Sequence, residues 1–99
     1  MMLVIDSDAL ATLARRHHVS RLSLFGSAAT ESFDPERSDA DFLVEFSPES
    51  PSPFEDYFRL KEALEAMFGR PVDLVTSSSL ENPHFAASVA RTAVELYAA

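Results

Sequence analysis

Three aspartates, Asp39, Asp41 and Asp73, are the strongest candidates for a chemical role in the sequence, because each lies in a stretch that predicts a β-strand. Strand side chains alternate between two faces, so Asp39 and Asp41 share the face opposite their apolar neighbours. Asp73 projects in the same way between Val72 and Leu74. Aspartate is disfavoured in strands, and like charges on one face repel. A solvated acidic face is the alternative, but three such aspartates favour a site for Mg²⁺ or Mn²⁺, which prefer oxygen ligands.

Gly26 and Ser27 supply a second chemical element, because they follow a predicted strand and open a predicted helix. Backbone N–H groups at a helix N-terminus attract anions, and a glycine lets a phosphate approach closely. The Ser27 hydroxyl can add a hydrogen bond. A Gly-Ser pair alone is most often an ordinary turn. Its position shortly before Asp39 and Asp41 gives it weight as a phosphate-binding turn.

The elements that must position these residues predict an α+β fold, with a small mixed sheet and helices packed on one face. Their predicted order is α-β-α-β-α-β-α. The strands are predicted at residues 21–25, 39–46 and 71–76. The helices are predicted from Asp6 or Ser7 to about His17, from Gly26 to about Ser32, from Pro53 to Gly69, and from Pro83 to near Leu96 and Tyr97. The expected N-caps are Asp6 or Ser7 for the first helix, and Ser52 and Asn82 for the two later helices.

Helical periodicity assigns a buried stripe to each of the two later helices. In the helix after Ser52, the inward residues are predicted to be Phe54, Tyr57, Leu60, Leu64 and Met67 or Phe68, and Asp56 is placed among the outward charges. In the last helix, the inward stripe is predicted as Phe85, Val89, Ala93 and Leu96. His17 and His18 are adjacent on a helix, do not face each other, and so do not predict a metal site.

Composition narrows the classes of function. The 99 residues suit a single domain, 1–99, and contain no cysteine, which excludes disulfides and thiolate metal sites. No stretch approaches the roughly 20 apolar residues of a membrane span. The net charge of −8 argues against direct binding to nucleic acid. We expect a cytoplasmic protein, and the sequence leaves its oligomeric state open.

The combination of Gly26-Ser27, Asp39-Ala40-Asp41 and Asp73 resembles the nucleotidyltransferase superfamily of DNA polymerase beta. Within it, the chain is most similar to the minimal nucleotidyltransferases, which are antitoxin partners of HEPN-domain toxins. The resemblance extends over nearly the whole chain.

The resemblance implies a metal-dependent transfer of AMP from ATP to a hydroxyl of a HEPN toxin, with a tyrosine as the expected acceptor. It implies that Asp39, Asp41 and Asp73 hold two Mg²⁺ or Mn²⁺ ions, and that Asp73 also helps to deprotonate the acceptor. Gly26 and Ser27 would hold the phosphates.

The sequence departs from the family pattern after the Gly-Ser pair. Relatives commonly have an arginine and then a glycine there, whereas this chain has Thr30 and Glu31. Arg37 or Lys61 are the candidates to replace the missing arginine. The departure keeps a non-catalytic binding module open as an alternative, in which the antitoxin neutralises its partner by docking. A third and weaker alternative is part of a larger enzyme that modifies a small molecule.

Overall fold

The computed structural model describes residues 5–29 and 40–99. Their α-helices are α1 (Ser7–Arg16), α2 (Pro53–Phe68) and α3 (Pro83–Thr92), and their strands are β1 (Val19–Phe25), β2 (Ala40–Phe46), β3 (Val72–Thr76) and β4 (Val94–Ala98). Two short 3-10 helices, Gly26–Ala29 and Ser77–Glu81, follow β1 and β3. None of the helices in these ranges is long and apolar enough to cross a membrane.

The strands form one mixed sheet in the order β3-β2-β1-β4. β1 is antiparallel to both of its neighbours, whereas β2 and β3 are parallel and are connected through α2. With these directions, the end of β1 and the starts of β2, β3 and β4 lie together. We call this the aspartate end of the sheet, and the opposite end, where β1 begins, the histidine end. The predicted α+β class with a mixed sheet is confirmed.

The hydrophobic core lies between one face of the sheet and the helices α1 and α2. Ala40, Phe42 and Val44 of β2 belong to it and are completely buried, and Phe46 packs against it partly buried, as the alternation of a strand requires. The helices contribute Leu10, Ala14, Leu60 and Leu64, and Phe68 packs its ring 5.6 Å from that of Phe42. The predicted face assignment of β2 is therefore confirmed, and it directs the remaining β2 side chains away from the core.

Capping residues set the helix starts as the sequence predicts. Asp6 accepts hydrogen bonds of 3.1 Å from the N–H groups of Asp8 and Ala9, and Asn82 accepts from His84 and Phe85. Ser52 caps α2, with Pro53 in its first turn, and Gly69 ends that helix in the left-handed conformation at φ +64°.

The predicted extent of the last helix was wrong. α3 ends at Thr92, Ala93 is extended, and Val94–Ala98 form β4 instead. Ala93, predicted to face the core, is exposed, and Leu96 reaches the core from a strand. The physical reason is that pairing with β1 satisfies backbone groups that would otherwise be left at an open edge, and this tertiary gain overrides the helical period.

Two predicted orientations in α2 were also wrong. Phe54 is 74% exposed, whereas Asp56 is only 8% exposed. Asp56 lies one turn before the buried Leu60 and therefore points inward, where hydrogen bonds satisfy its carboxylate. The helix predicted from Gly26 to Ser32 begins as the 3-10 helix Gly26–Ala29, and its remainder lies outside the described residues.

Candidate functional site

Asp41 and Asp73 are direct neighbours across the parallel pair of β2 and β3, where their Cα atoms are register partners. Both belong to the face opposite the core, with Asp41 half-buried and Asp73 exposed. Neighbouring strands lie roughly 4.8 Å apart, so the register puts the two carboxylates side by side. Two negative charges at this separation repel, and the arrangement suits a cation between or above them.

Gly26 lies directly against the Asp41 carboxylate. Phe25 is the β1 partner of Asp41, so the turn that follows β1 meets the start of β2. Gly26 has φ +70°, and a Cβ atom at this position would lie 2.7 Å from Asp41 Oδ2. A side chain would therefore be both strained and in collision with the carboxylate. The structure gives a physical reason for glycine here, and it brings the predicted turn and one predicted aspartate into contact.

The backbone N–H of Gly26 is already bonded within the protein. It donates to Thr92 Oγ1 at 2.8 Å, and Thr92 is the last residue of α3. Sequence analysis missed Thr92, because 66 positions separate it from Gly26 and no local pattern marks the contact. α3 reaches the same region through Phe85, whose ring meets that of Phe25 edge to face at a centroid distance of 5.5 Å.

The other predicted site residues are placed as follows. The backbone of Ser27 belongs to the 3-10 helix that Gly26 opens. Asp39 lies outside the described residues, as do Thr30, Glu31 and Arg37. Lys61 is on α2, which packs on the core face, so the fold does not bring it to the aspartates. Within ranges 5–29 and 40–99, no three His, Cys, Asp or Glu side chains gather as a metal site.

The sheet face continues from the aspartates towards a small depression of about 70 Å³, which includes Ser23 and Leu43. Ligand pockets for small molecules are roughly 300–1,000 Å³, so this depression is too small for a nucleotide. An ion pair of 3.1 Å between Arg21 and Glu95 lies on the same face. Neither Asp41 nor Asp73 lines this depression.

A second polar cluster lies at the histidine end. His18, with φ +59°, places Nδ1 3.0 Å from Asp56 Oδ2, and the Ser50 hydroxyl donates to the same oxygen at 2.5 Å. Burial raises the pKa of Asp56, but the hydrogen bonds from Ser50 and His18 outweigh it, so the net pKa is lowered. The neighbouring His17 has a pKa lowered chiefly by burial. The cluster joins the start of β1 to the start of α2.

Comparison with protein families matches residues 7–96 to the family described as nucleotidyltransferase domain. A curated relative from Methanocaldococcus jannaschii, named "putative protein adenylyltransferase", is 38% identical over 77 residues, which cover 78% of this chain and 76% of the relative.

Solved structures share the fold. A "putative minimal nucleotidyltransferase" is 36% identical with a TM-score of 0.71, covering 89% of this chain and 86% of that one. A toxin–antitoxin structure with AMP-PNP is 20% identical with a TM-score of 0.68, covering 96% and 75%. A tri-AMPylated HEPN toxin from Shewanella oneidensis in complex with MNT antitoxin matches at 19% identity and a TM-score of 0.62, covering 94% and 70%.

Proposed function

The chain belongs to the nucleotidyltransferase domain family, and from that premise we propose that it transfers AMP from ATP to a hydroxyl group of a partner protein. In this proposal, residues 1–99 act as a single minimal nucleotidyltransferase domain, and the partner is a HEPN toxin that the chain neutralises as its antitoxin. The relatives support the proposal, since they include a protein named "putative protein adenylyltransferase" and an AMPylated toxin in complex with its antitoxin.

The observation that carries the proposal is the register of Asp41 with Asp73, together with the contact between Gly26 and Asp41. The register makes two carboxylates neighbours on one face, and a glycine turn adjoins one of them. Acidic side chains beside a turn of this kind suit a triphosphate whose charge is offset by cations. A purely structural role does not account for two like charges placed as register partners on adjacent strands.

The donor set fits Mg²⁺ or Mn²⁺, because it consists of carboxylate oxygens, and cysteine is absent from the chain. Asp41 and Asp73 would hold the metal ions, and Asp39 is the third ligand that the sequence suggests. Bound metal would supply charge neutralisation for the triphosphate and for the leaving group. Gly26, which has no side chain, would allow the turn to lie next to Asp41, while Ser27 would contact the phosphates.

The transfer itself needs little covalent chemistry from the protein. The acceptor oxygen attacks the α-phosphorus of ATP, the bond to the bridging oxygen breaks, and pyrophosphate leaves, so positioning and charge stabilisation dominate. Asp73 is the exposed member of the pair and is the candidate to take the proton of the acceptor hydroxyl.

The proposed consequence for the partner follows from charge. An attached AMP adds negative charge and bulk to the toxin, and both oppose the binding of RNA phosphates. Inactivation by modification would therefore persist after the two proteins separate.

A binding module that acts by docking alone is the second candidate. The observation in its favour is an exposed aromatic pair on α2, where Phe54 and Phe58 are 74% and 49% exposed and their rings lie 4.9 Å apart. Exposed aromatic residues are enriched in protein interfaces. This pair is on α2, which packs on the core face of the sheet, so docking there would not require the aspartates.

Asp73→Asn separates the two candidates. The proposed partner, a HEPN-domain toxin, is incubated with this chain, ATP and Mg²⁺ and examined by intact-mass spectrometry. We expect a mass gain of one or more AMP groups with the wild type and with Glu62→Gln, an exposed control with the same loss of charge. We expect none with Asp73→Asn. If Asp73→Asn neutralises the partner as well as the wild type does, and neither adds mass, the enzyme proposal is wrong.

A further inference from the structure

The hydroxyl of Thr92 bridges α3 and the Gly26 turn. It accepts the N–H of Gly26 at 2.8 Å and donates to the carbonyl oxygen of Ser88 at 3.2 Å. A hydroxyl has one proton and two acceptor lone pairs, so the two bonds use its donor and one of its acceptors. Because the Gly26 amide is engaged, it is not free to bind a phosphate. The contribution of Gly26 to the site is therefore its position and its missing side chain.

Thr92 is itself held from both sides. On the helix side, Asn82 caps the start of α3 and the Phe85 ring packs on Phe25. On the strand side, a single residue separates Thr92 from β4, whose first residue, Val94, is the register partner of Leu24. The acceptor for the Gly26 amide is thus fixed by elements that pack on, or pair with, the end of β1.

We propose that Thr92 is a positioning residue of the nucleotide site, acting through its hydrogen bond to Gly26; this rests on the function proposed above. The bond holds the Gly26 backbone against the Asp41 carboxylate, at the distance where even one methyl group would collide with Oδ2. Without the hydroxyl, the half-buried amide has no partner from α3, and the turn relaxes to find one. The position of the turn relative to Asp41, beside which the metal-bound triphosphate would lie, then changes.

The substitution Thr92→Val removes the hydroxyl and keeps the branched shape, and Thr92→Ser keeps the hydroxyl. Thr12→Val is the matched control, because the Thr12 hydroxyl also donates to the carbonyl oxygen four residues earlier, at 3.0 Å, but lies on α1 away from the turn. Affinity for ATP with Mg²⁺ is measured by calorimetry, thermal melting reports folding, and kcat and KM are measured separately with the HEPN partner.

We expect Thr92→Val to raise the Kd for ATP with Mg²⁺ about 3- to 10-fold, which is the size of one hydrogen bond. KM for ATP should rise in parallel, while Thr92→Ser and Thr12→Val stay within about twofold of the wild type. Thr92→Ala is measured alongside, and the affinity comparison uses whichever of the two variants remains folded. If both variants unfold, the rate of amide hydrogen exchange at Gly26 is compared between Thr92→Ser and the wild type, each with and without ATP and Mg²⁺. This comparison decides whether the hydrogen bond between Gly26 and residue 92 changes when the nucleotide binds.

Two results would overturn the inference and are distinct from failure of the proposed function. If the wild type binds ATP and a folded Thr92→Val binds it equally well, Thr92 does not position the site. If Thr12→Val weakens binding as much as Thr92→Val does, the effect is general helix destabilisation. By contrast, a wild type that binds no ATP with either Mg²⁺ or Mn²⁺ removes the proposed function itself, and the positioning role with it.

Discussion

The two ends of the sheet give their aspartates opposite electrostatic surroundings. At the histidine end, the buried Asp56 accepts hydrogen bonds from Ser50 and His18, and its pKa is lowered. At the aspartate end, Asp41 and Asp73 are register partners with the same charge. Hydrogen bonds to a carboxylate stabilise the native state, whereas repulsion between two neighbouring carboxylates lowers its stability.

This difference indicates that stability and function depend on opposite ends of the sheet in this small domain. The histidine end connects the start of β1 to α2 and completes the packing around the core. The aspartate end brings two like charges together, one of them exposed, beside a glycine turn that has no room for a side chain, and these features are typical of a ligand-binding site. The same substitution, Asp→Asn, should therefore have opposite consequences at the two ends.

The largest effect is expected from Asp41→Asn. It should lower AMP transfer at least about 100-fold, because charge stabilisation by bound metal supplies several kcal/mol. At ten times Kd, ATP with Mg²⁺ should add about 1.4 kcal/mol to the stability of the wild type and nothing to that of the variant. Transfer assays and thermal melts measure both. An unfolded Asp41→Asn would mean that the carboxylate is structural and that the two ends do not differ.

Asp56→Asn should show the reverse pattern. Loss of the charged acceptor for Ser50 and His18 is expected to lower the free energy of unfolding by about 1–3 kcal/mol. Chemical denaturation measures this, and kcat and KM should stay near wild-type values at a temperature where the variant is folded. A large change in KM for ATP would contradict the separation of the two ends.

The two glycines offer a matched pair with nearly the same backbone. Gly26 and Gly69 have φ +70° and +64°, but a Cβ at Gly69 meets nothing within 4 Å. Gly69→Ala should cost only the left-handed strain, about 1–2 kcal/mol. Gly26→Ala adds the collision with Asp41, about 1–3 kcal/mol more, and should also weaken ATP binding. If denaturation experiments give both variants the same loss in free energy of unfolding, the Asp41 side chain moves aside without an energetic penalty.

The smallest effect is a dependence of stability on pH. Burial lowers the pKa of His17, so the folded state favours the neutral imidazole. The contribution of His17 to the free energy of unfolding is complete at pH values above the unfolded-state pKa of roughly 6.5. This contribution is lost as the pH falls through the folded-state pKa. Asp56, with its lowered pKa, loses its contribution only at more acidic pH. His17→Gln should flatten the fall in melting temperature between pH 7.5 and 5.5, whereas the exposed control His84→Gln should not.

Sequence reasoning predicted the features that depend on local pattern. Alternation in β2 and β3 predicted which side chains leave the core, and the caps at Ser52 and Asn82 marked the helix starts. It did not predict β4, because Val94–Ala98 become a strand only when β1 offers an edge. Nor could it find the burial of Asp56 or the bond from Gly26 to Thr92, since both depend on residues distant in sequence.

The candidate site divides in the same way. The Asp41–Asp73 pair followed from alternation, but its register required the fold. The roles of Asp39 and Ser27, the two metal ions and a cytoplasmic location stay predictions. The replacement of the missing arginine by Lys61 was wrong, because α2 carries that residue to the other side of the sheet.

The parallel pairing of β2 with β3 has a consequence for the order of folding. These strands meet only after the whole of α2 has crossed the sheet, whereas β1 and β2 pair as neighbours in the chain order of strands. Pairing between segments that are distant in the chain carries a larger loop-closure cost, so we expect Asp41 and Asp73 to approach each other late in folding. Their repulsion is therefore expected to destabilise the native state more than the folding transition state. Neutralising it, by metal or by Asp73→Asn, is expected to slow unfolding and to leave the folding rate nearly unchanged.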